Sequence, residues 1–330
     1  MATPNELNKF KIELDISEED LKNSGLQLEV LYDIYNDYGA KYSQLVKHLN
    51  MLTENLSEIL ELEENVHSIK KRAKKPEALI RKIIKKSQDP TKKEKYSKID
   101  KVNYLTIMPD VLGIRIVTLF ATDWESVDEL LGSNFNNDIC VQGNKEAKIP
   151  LSKSPLKYQE KGFKAISNKD VEYFSLHYDY ITKGFFGRTS LEIQVRPIYI
   201  EAWAEIDHKI RYKEVSEHEI LDPYFNALAK MSLALDDLST HAVVIKKKLE
   251  TLERELNKLS VPDSEKVKVL GAVRKIFSAD DLSPAFTFNH DYKMEPGLSQ
   301  TKQALAEFNS PNVQNQIETL KRMKDQFPEI

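Results

Sequence analysis

The sequence predicts an α+β protein in which a central group of strands lies between helical segments. Three observations carry that expectation. Apolar residues recur every three or four positions through residues 18–86, and between about residues 102 and 196 the period falls to two. The helical period then returns for the rest of the chain.

In the first region Leu45, Leu49, Leu52, Leu56, Ile59 and Leu60 mark one helix face, with polar residues opposite. Tyr32, Tyr35, Tyr38 and Tyr42 form a stripe of the same period, either packed on a core or covering an active site. The stretch RAKKPEALIRKIIKK, which begins at Arg72, interleaves Leu79, Ile80, Ile83 and Ile84 among cations, as a docked helix with one basic face does. Residues 88–97, rich in Lys and carrying Pro90, read as a solvated loop. The runs at 113–120, 172–181 and 190–196 read as strands, and 124–132 as a helix stopped by Gly132. Residues 132–170 look irregular apart from one short strand near Ile139. Residues 198–212 are an amphipathic helix. Beyond it, Ile245, Leu249, Leu252, Leu256 and Leu259 are spaced as in a coiled-coil seam. The expected division is a helical segment at 1–65 packing on a central domain at 66–216, then a helical regulatory or oligomerisation region at 217–330.

Composition narrows the function. The chain has 330 residues, 48 Lys+Arg against 52 Asp+Glu, and a formal net charge of −4. Its single cysteine, Cys140, excludes a disulfide framework and multi-cysteine zinc sites. No run approaches about 18 uninterrupted apolar residues and the amino terminus lacks an apolar signal core, so a cytoplasmic location is expected. Only 10 glycines occur, with neither a GxxxxGK[ST] nor a GxGxxG pattern, so any nucleotide phosphates must be held by side chains. Residues 70–101 offer them, with 14 Lys+Arg against 4 Asp+Glu.

Strand alternation locates candidate chemistry. In residues 191–196 Leu191, Ile193 and Val195 share one face, while Glu192, Gln194 and Arg196 share the other. In residues 173–180 Tyr173, Ser175, His177 and Asp179 lie opposite Phe174, Leu176, Tyr178 and Tyr180. Either pattern alone also fits an exposed antiparallel face; together they suggest a polar cleft. Arg115, inside an apolar strand, needs a partner or a ligand. Asp110 and Glu192, two acids on neighbouring strands, could share a magnesium ion, which takes one or two carboxylates plus substrate phosphates. On the following helix Glu201, Glu205, His208 and Tyr212 form one polar stripe.

The order RxKxxxxxxxK, DxxGIR, YxSLH, ExQxR and then a WAExDHK helix resembles the synthetase domain of RelA/SpoT-type alarmone synthetases, over about residues 66–213. The resemblance implies a mixed, mainly antiparallel sheet flanked by helices, related to nucleotidyltransferases. It also implies Mg²⁺-dependent transfer of pyrophosphate from ATP to the 3′-hydroxyl of GDP or GTP. Arg72, Lys74, Lys82, Lys85 and Arg115 correspond to cations on the ATP phosphates. Asp110 and Glu192 resemble the magnesium acids, Glu192 also as the base that deprotonates the attacking hydroxyl, and Asp110, Glu192 and Arg115 form the catalytic set. Tyr173 is similar to the ring that stacks on the acceptor base, with Lys169, His177, Gln194 and Glu201 on the acceptor side.

Three positions depart from the family pattern. Ala78 replaces a serine common between the ATP cations, Glu172 replaces a glycine before the tyrosine, and Glu201 stands where many small guanine-specific synthetases carry Asn. The last two, with the lysine-rich segment, motivate an alternative in which the acceptor is the 3′ end of tRNA and the protein is a toxin with a fused carboxy-terminal regulator. A further alternative is a catalytically inert nucleotide-sensing module. Homo-oligomerisation or a protein regulator would act through the carboxy-terminal helices. His290-Asp291 has no upstream metal-ligand histidines and reads as a loop pair, and HEILD at residues 218–222, with Asp222 where a zinc protease needs its second histidine, reads as a polar linker.

Overall fold

A computed structural model describes residues 2–61, 63–150, 154–167, 173–211 and 218–258, together with 263–264, 266–268 and 271. The chain divides into two compact units, Met1–Asp236 and Asp237–Ile330.

The first unit opens with α1 (Pro4–Glu13) and α2 (Glu18–Ser24). Both start on capping boxes, Thr3 with Glu6 and Ser17 with Asp20, which satisfy the otherwise unpaired amides of the first turn. Gly25 ends α2 in the left-handed region, at φ 69°. The long α3 (Leu28–Leu60) buries Leu31, Ile34, Tyr38, Leu45, Leu49, Leu52, Leu56 and Leu60. The tyrosine stripe is therefore a packing face, and the Tyr38 hydroxyl donates to the carbonyl of Lys74 at 2.6 Å.

Six strands follow: β1 (Val66–Ala73), β2 (Leu112–Thr118), β3 (Cys140–Ile149), β4 (Lys164–Ser167), β5 (Ser175–Gly184) and β6 (Gly187–Pro197). They form one sheet of order β1-β2-β6-β5-β3-β4. β2 runs parallel to β6 and β3 to β4, and the other three pairs are antiparallel. The mixed, mainly antiparallel sheet flanked by helices matches the expected class.

Several local expectations are corrected. The helical reading of residues 18–86 is interrupted, because Val66–Ala73 is the edge strand β1, and Arg72 therefore sits on a strand. Its burial alternates weakly, as expected of an edge with one partner. α4 (Pro76–Gln88) is the docked basic helix, with Leu79, Ile80, Ile83 and Ile84 buried and Pro76 at its first turn. Residues 88–97 are not simply a loop. The short α5 (Lys93–Tyr96) buries Tyr96, Ile99 follows it into the core, and α6 (Tyr104–Ile107) adds Tyr104 and Leu105.

Gly132 does not stop α7 (Trp124–Leu130); the chain continues in a wider helical turn from Leu131 to Phe135. Residues 132–170 hold β3, α8 (Leu156–Glu160) and β4. The short strand expected near Ile139 is the start of β3, which runs further than alternation suggests because its register slips between Gln142 and Lys145 along CVQGNKEAKI. α9 (Ile198–Arg211) is the amphipathic helix; Tyr212 lies outside the described residues.

α10 runs from His218 to Lys258. Its part in the first unit buries Phe225, Ala229 and Leu233, and the Asp236 carboxylate accepts from the Ala121 amide at 3.1 Å. In the second unit Leu252 and Leu256 are buried, Ile245 and Leu249 half-buried, and Leu259 lies outside the described residues. Among the described residues no helix is long and apolar enough to cross a membrane.

Candidate active site

Register brings the polar residues of four strands into two rows on one face. The first row reads Arg72, Gly113, Glu192, Asp179 across β1, β2, β6 and β5. The second reads Lys70, Arg115, Gln194, His177 and continues to Glu146 on β3. Cations thus occupy the β1–β2 half and acids the β6–β5–β3 half, while Leu191, Ile193, Val195, Leu176, Tyr178 and Tyr180 fill the core beneath. Gly113 sits between Arg72 and Glu192 and leaves that stretch of the face open.

At the open end of β2, Asp110 receives two lysines on one oxygen. Lys74, where β1 leads into α4, reaches Oδ2 at 2.9 Å, and Lys82 of α4 reaches it at 2.5 Å. Burial alone would raise the Asp110 pKa, but Lys82 and Lys74 hold it below the ordinary carboxylate value. Lys74 is lowered by its own burial, against the pull of Asp110, with Lys82 and Arg72 adding like-charge repulsion. Asp110 Oδ1 is buried without a hydrogen-bond partner.

Lys86, one turn after Lys82, is half-buried and lowered, first by burial and then by Lys92 and Lys82. The i, i+4 spacing from Lys82 was the available signal for it. Lys85 and Arg72 are exposed.

Glu192 is held from both sides. His177 Nδ1 lies 2.8 Å from its Oε1, and the Gln194 side-chain amide donates to Oε2 at 2.7 Å. Burial would raise the Glu192 pKa, but these two contacts hold it low. His177 is pushed down by burial, more strongly than Glu192 pulls it up, so the ring is neutral near pH 7. His177 and Gln194, expected on the acceptor side, are thus both hydrogen-bonded to Glu192. Asp179, directly across the β5–β6 ladder from Glu192, is raised by burial and then by Glu192 and Glu146.

The other side of His177 faces Ser175 and Tyr173. Nε2 lies 3.1 Å from Ser175 Oγ and 3.3 Å from the Tyr173 hydroxyl. Arg196 donates from Nε to Ser175 Oγ at 3.1 Å, and its guanidinium carbon lies 5.6 Å from the Tyr173 ring centroid. The Tyr173 ring also packs against Trp203 of α9, at 6.0 Å between centroids.

Glu201, at the start of α9, is 4% exposed and surrounded by cations. It accepts from Lys70 at 2.9 Å and from Arg115 at 2.8 and 3.1 Å, and Arg196 is 3.8 Å away. Arg115 also reaches Glu205 at 2.6 Å. Burial opposes the Arg115 charge, but Glu201 and Glu205 outweigh it and raise its pKa. The partner that an arginine inside a strand demands is therefore on α9, and two residues expected on opposite sides of the reaction meet in one ion cluster. Lys70, Ser175 and Arg196 were not among the expected site residues, although the basic run and the strand alternation contain them. Lys169, like Glu172, lies outside the described residues.

Among the described residues no group of three or more His, Cys, Asp or Glu side chains is arranged to hold a metal ion. A cation that draws on two carboxylates and completes its shell with substrate phosphate oxygens needs no such group. The donor chemistry fits that case, because Asp110 presents a buried, unpartnered oxygen and Asp110 and Glu192 are close enough to repel each other electrostatically.

Residues 71–217 match the family model described as "Region found in RelA / SpoT proteins". Among solved structures, small alarmone synthetase 1 from Bacillus subtilis is similar at 18% identity and a TM-score of 0.46, over 66% of this chain and 99% of that one. The same protein bound to its product pppGpp is similar at 19% identity and a TM-score of 0.44, over 63% and 94% of the two chains. A GTP pyrophosphokinase family protein from Streptococcus pneumoniae is similar at 15% identity and a TM-score of 0.43, over 65% and 93%. No curated protein matches the chain.

Proposed function

We propose, from a chain that carries a RelA/SpoT-type synthetase domain at residues 71–217, that the protein transfers the pyrophosphoryl group of ATP to the 3′-hydroxyl of GDP or GTP. The observation that carries the reading is the polarised face, with cations on one half and the carboxylates of Asp110 and Glu192 beside them. In this reaction the acceptor 3′-oxygen forms a bond to the β-phosphorus of ATP. The bond from that phosphorus to the α-phosphate oxygen breaks, AMP departs, and the hydroxyl proton passes to a base. Such transfer depends on positioning and charge stabilisation more than on covalent chemistry.

Each residue then has a task. Lys74, Lys82 and Lys86, with Arg72 and Lys85 at the rim, neutralise the polyphosphate. Glu192 accepts the proton, its carboxylate kept ionised and oriented by His177 and Gln194. Tyr173 offers its ring to the acceptor base. Arg115 acts through Glu201, holding α9 against the sheet. Asp110 and Glu192 would hold Mg²⁺, which supplies charge neutralisation on the phosphates when bound.

Incubation with ATP labelled in its β-phosphate and with GDP or GTP tests the reading. A labelled nucleotide carrying the 3′-pyrophosphate is expected, and its absence with both acceptors would refute the reaction.

A second reading, transfer to the 3′ end of tRNA, is favoured by one observation. The lysine-rich segment is a folded ridge, with Lys92, Lys93, Lys95, Lys98 and Lys101 exposed around the buried Tyr96 and Ile99. Labelled tRNA in place of labelled nucleotide would establish it.

A further inference from the structure

Arg196, Ser175, His177 and Glu192 form a hydrogen-bond chain whose direction is fixed by chemistry. A guanidinium can only donate, so at Arg196 Nε the Ser175 hydroxyl is the acceptor. The Glu192 carboxylate can only accept, so it takes the proton of His177 Nδ1, and Nε2 of the neutral ring then accepts from the serine hydroxyl 3.1 Å away. An imidazole nitrogen that accepts carries no proton in the neutral ring, so the proton sits on Nδ1, 2.8 Å from Glu192 Oε1. The Gln194 amide takes the other carboxylate oxygen, and both Glu192 oxygens are then faced by donors. Ser175 is fully buried and the Arg196 residue is 9% exposed, so water does not compete for these bonds.

The same arginine reaches the acceptor ring. Its guanidinium lies over Tyr173 while its Nη1 faces Glu201 across 3.8 Å. One side chain thus touches the ring, the serine that begins the chain to Glu192, and the ion cluster that includes Arg115.

We propose that Arg196, Ser175 and His177 are positioning residues, which aim the Glu192 carboxylate and couple its orientation to the seat of the acceptor base at Tyr173. The proposal rests on the pyrophosphate-transfer reading above. Without the serine, His177 loses the nearer of the two hydroxyls that face Nε2, and only Tyr173 remains there, at 3.3 Å. The ring is then held less firmly, and the aim of its Nδ1 proton on the Glu192 carboxylate loosens. Arg196→Lys has a different effect: a single ammonium group cannot reach Ser175 and cover the Tyr173 ring together.

Two measurements on the full chain test this. Nitrogen-15 spectra of the histidine-labelled wild type should show the His177 proton on Nδ1 with a hydrogen-bonded Nε2, and in Ser175→Ala the hydrogen-bond shift at Nε2 should shrink while the proton stays on Nδ1. Turnover of Ser175→Ala should fall about tenfold, or ~1.4 kcal/mol of transition-state stabilisation, with the KM for ATP unchanged. Arg196→Lys should lower turnover and also raise the KM for the acceptor. A wild-type ring protonated on Nε2, or Ser175→Ala with wild-type turnover, would overturn the proposal. Should Ser175→Ala fail to fold, the wild-type spectrum alone decides. That spectrum needs no substrate, so an inactive wild type would refute the proposed reaction, whereas an Nε2 proton would refute the relay.

Discussion

Asp110 has two tasks that mutation can separate. It is the counter-charge of Lys74, whose side chain is only 10% exposed, and it is the carboxylate with an unpartnered oxygen beside Glu192. Asp110→Asn should abolish transfer, and it should also destabilise by about 3 kcal/mol, because a buried ammonium then loses its partner. Adding Lys74→Met removes the stranded charge, so the double variant should regain most of the stability, read from urea midpoints, while remaining inactive. Restored activity would place Asp110 outside the chemistry. Gly113 makes a complementary case, in which space and not charge is functional. A β-carbon there would meet only the Arg72 carbonyl, at 3.5 Å, so the backbone tolerates one. Gly113→Val should keep stability within about 1 kcal/mol while filling the gap between Arg72 and Glu192. Transfer should drop on the order of 100-fold through displaced substrate, measured as kcat/KM for ATP.

At the scale of elements, legibility in the sequence followed burial geometry. β2 and β6 were readable because each buries one clean face, Ile114 and Ile116 on one and Leu191, Ile193 and Val195 on the other. Their polar alternates, Arg115 on β2 and Glu192 and Gln194 on β6, therefore appeared at the correct spacing, as did His177 on β5, with Asp110 just ahead of β2. β1 was not readable, and of β3 only its start near Ile139 was. β1 is an edge strand inside a basic run, and β3 is interrupted by its register slip. The ion cluster around Glu201 was hidden for another reason. Its members come from β1, β2, β6 and α9, and only tertiary packing decides that Arg115 turns to a helix acid. The contact of α3 with the β5–β6 hairpin is equally tertiary, and it makes a sharp prediction. A β-carbon on Gly184 would lie 2.9 Å from the His48 ring, which is held by a 2.9 Å contact between Nε2 and the Thr182 hydroxyl. Gly184→Ala should cost about 1–3 kcal/mol through this overlap. His48→Ala should relieve much of that cost, so the double variant should be clearly less destabilised than the sum of the singles, a comparison that thermal or urea unfolding of the three variants provides.

For the whole molecule the governing property is the uneven distribution of charge. Residues 70–101 carry 14 Lys+Arg against 4 Asp+Glu in a chain whose formal net charge is −4, so the rest of the chain is acidic. Part of this basic segment, Lys74 and Lys82, is committed to Asp110, whereas Lys93, Lys95 and Lys98 are exposed on the ridge around Tyr96. An acceptor the size of GDP or GTP carries only two or three phosphates, and the inner lysines suffice for the donor; the outer ridge has nothing to hold. A tRNA acceptor would engage it, and each phosphate neutralised there adds to a steep salt dependence. The two acceptors therefore predict opposite behaviour for one variant. With GDP or GTP as acceptor, Lys93→Glu, Lys95→Glu and Lys98→Glu combined should leave kcat/KM within about threefold of wild type, and activity should vary little between roughly 50 and 200 mM salt. If the acceptor is tRNA, the same variant should lose at least about tenfold, and the wild type should fall steeply over that salt range as condensed counterions cease to be released. Because the ridge is anchored by Tyr96 and Ile99 and not by its lysines, charge reversal should leave the fold intact. The nucleotide reading stands or falls on the first outcome.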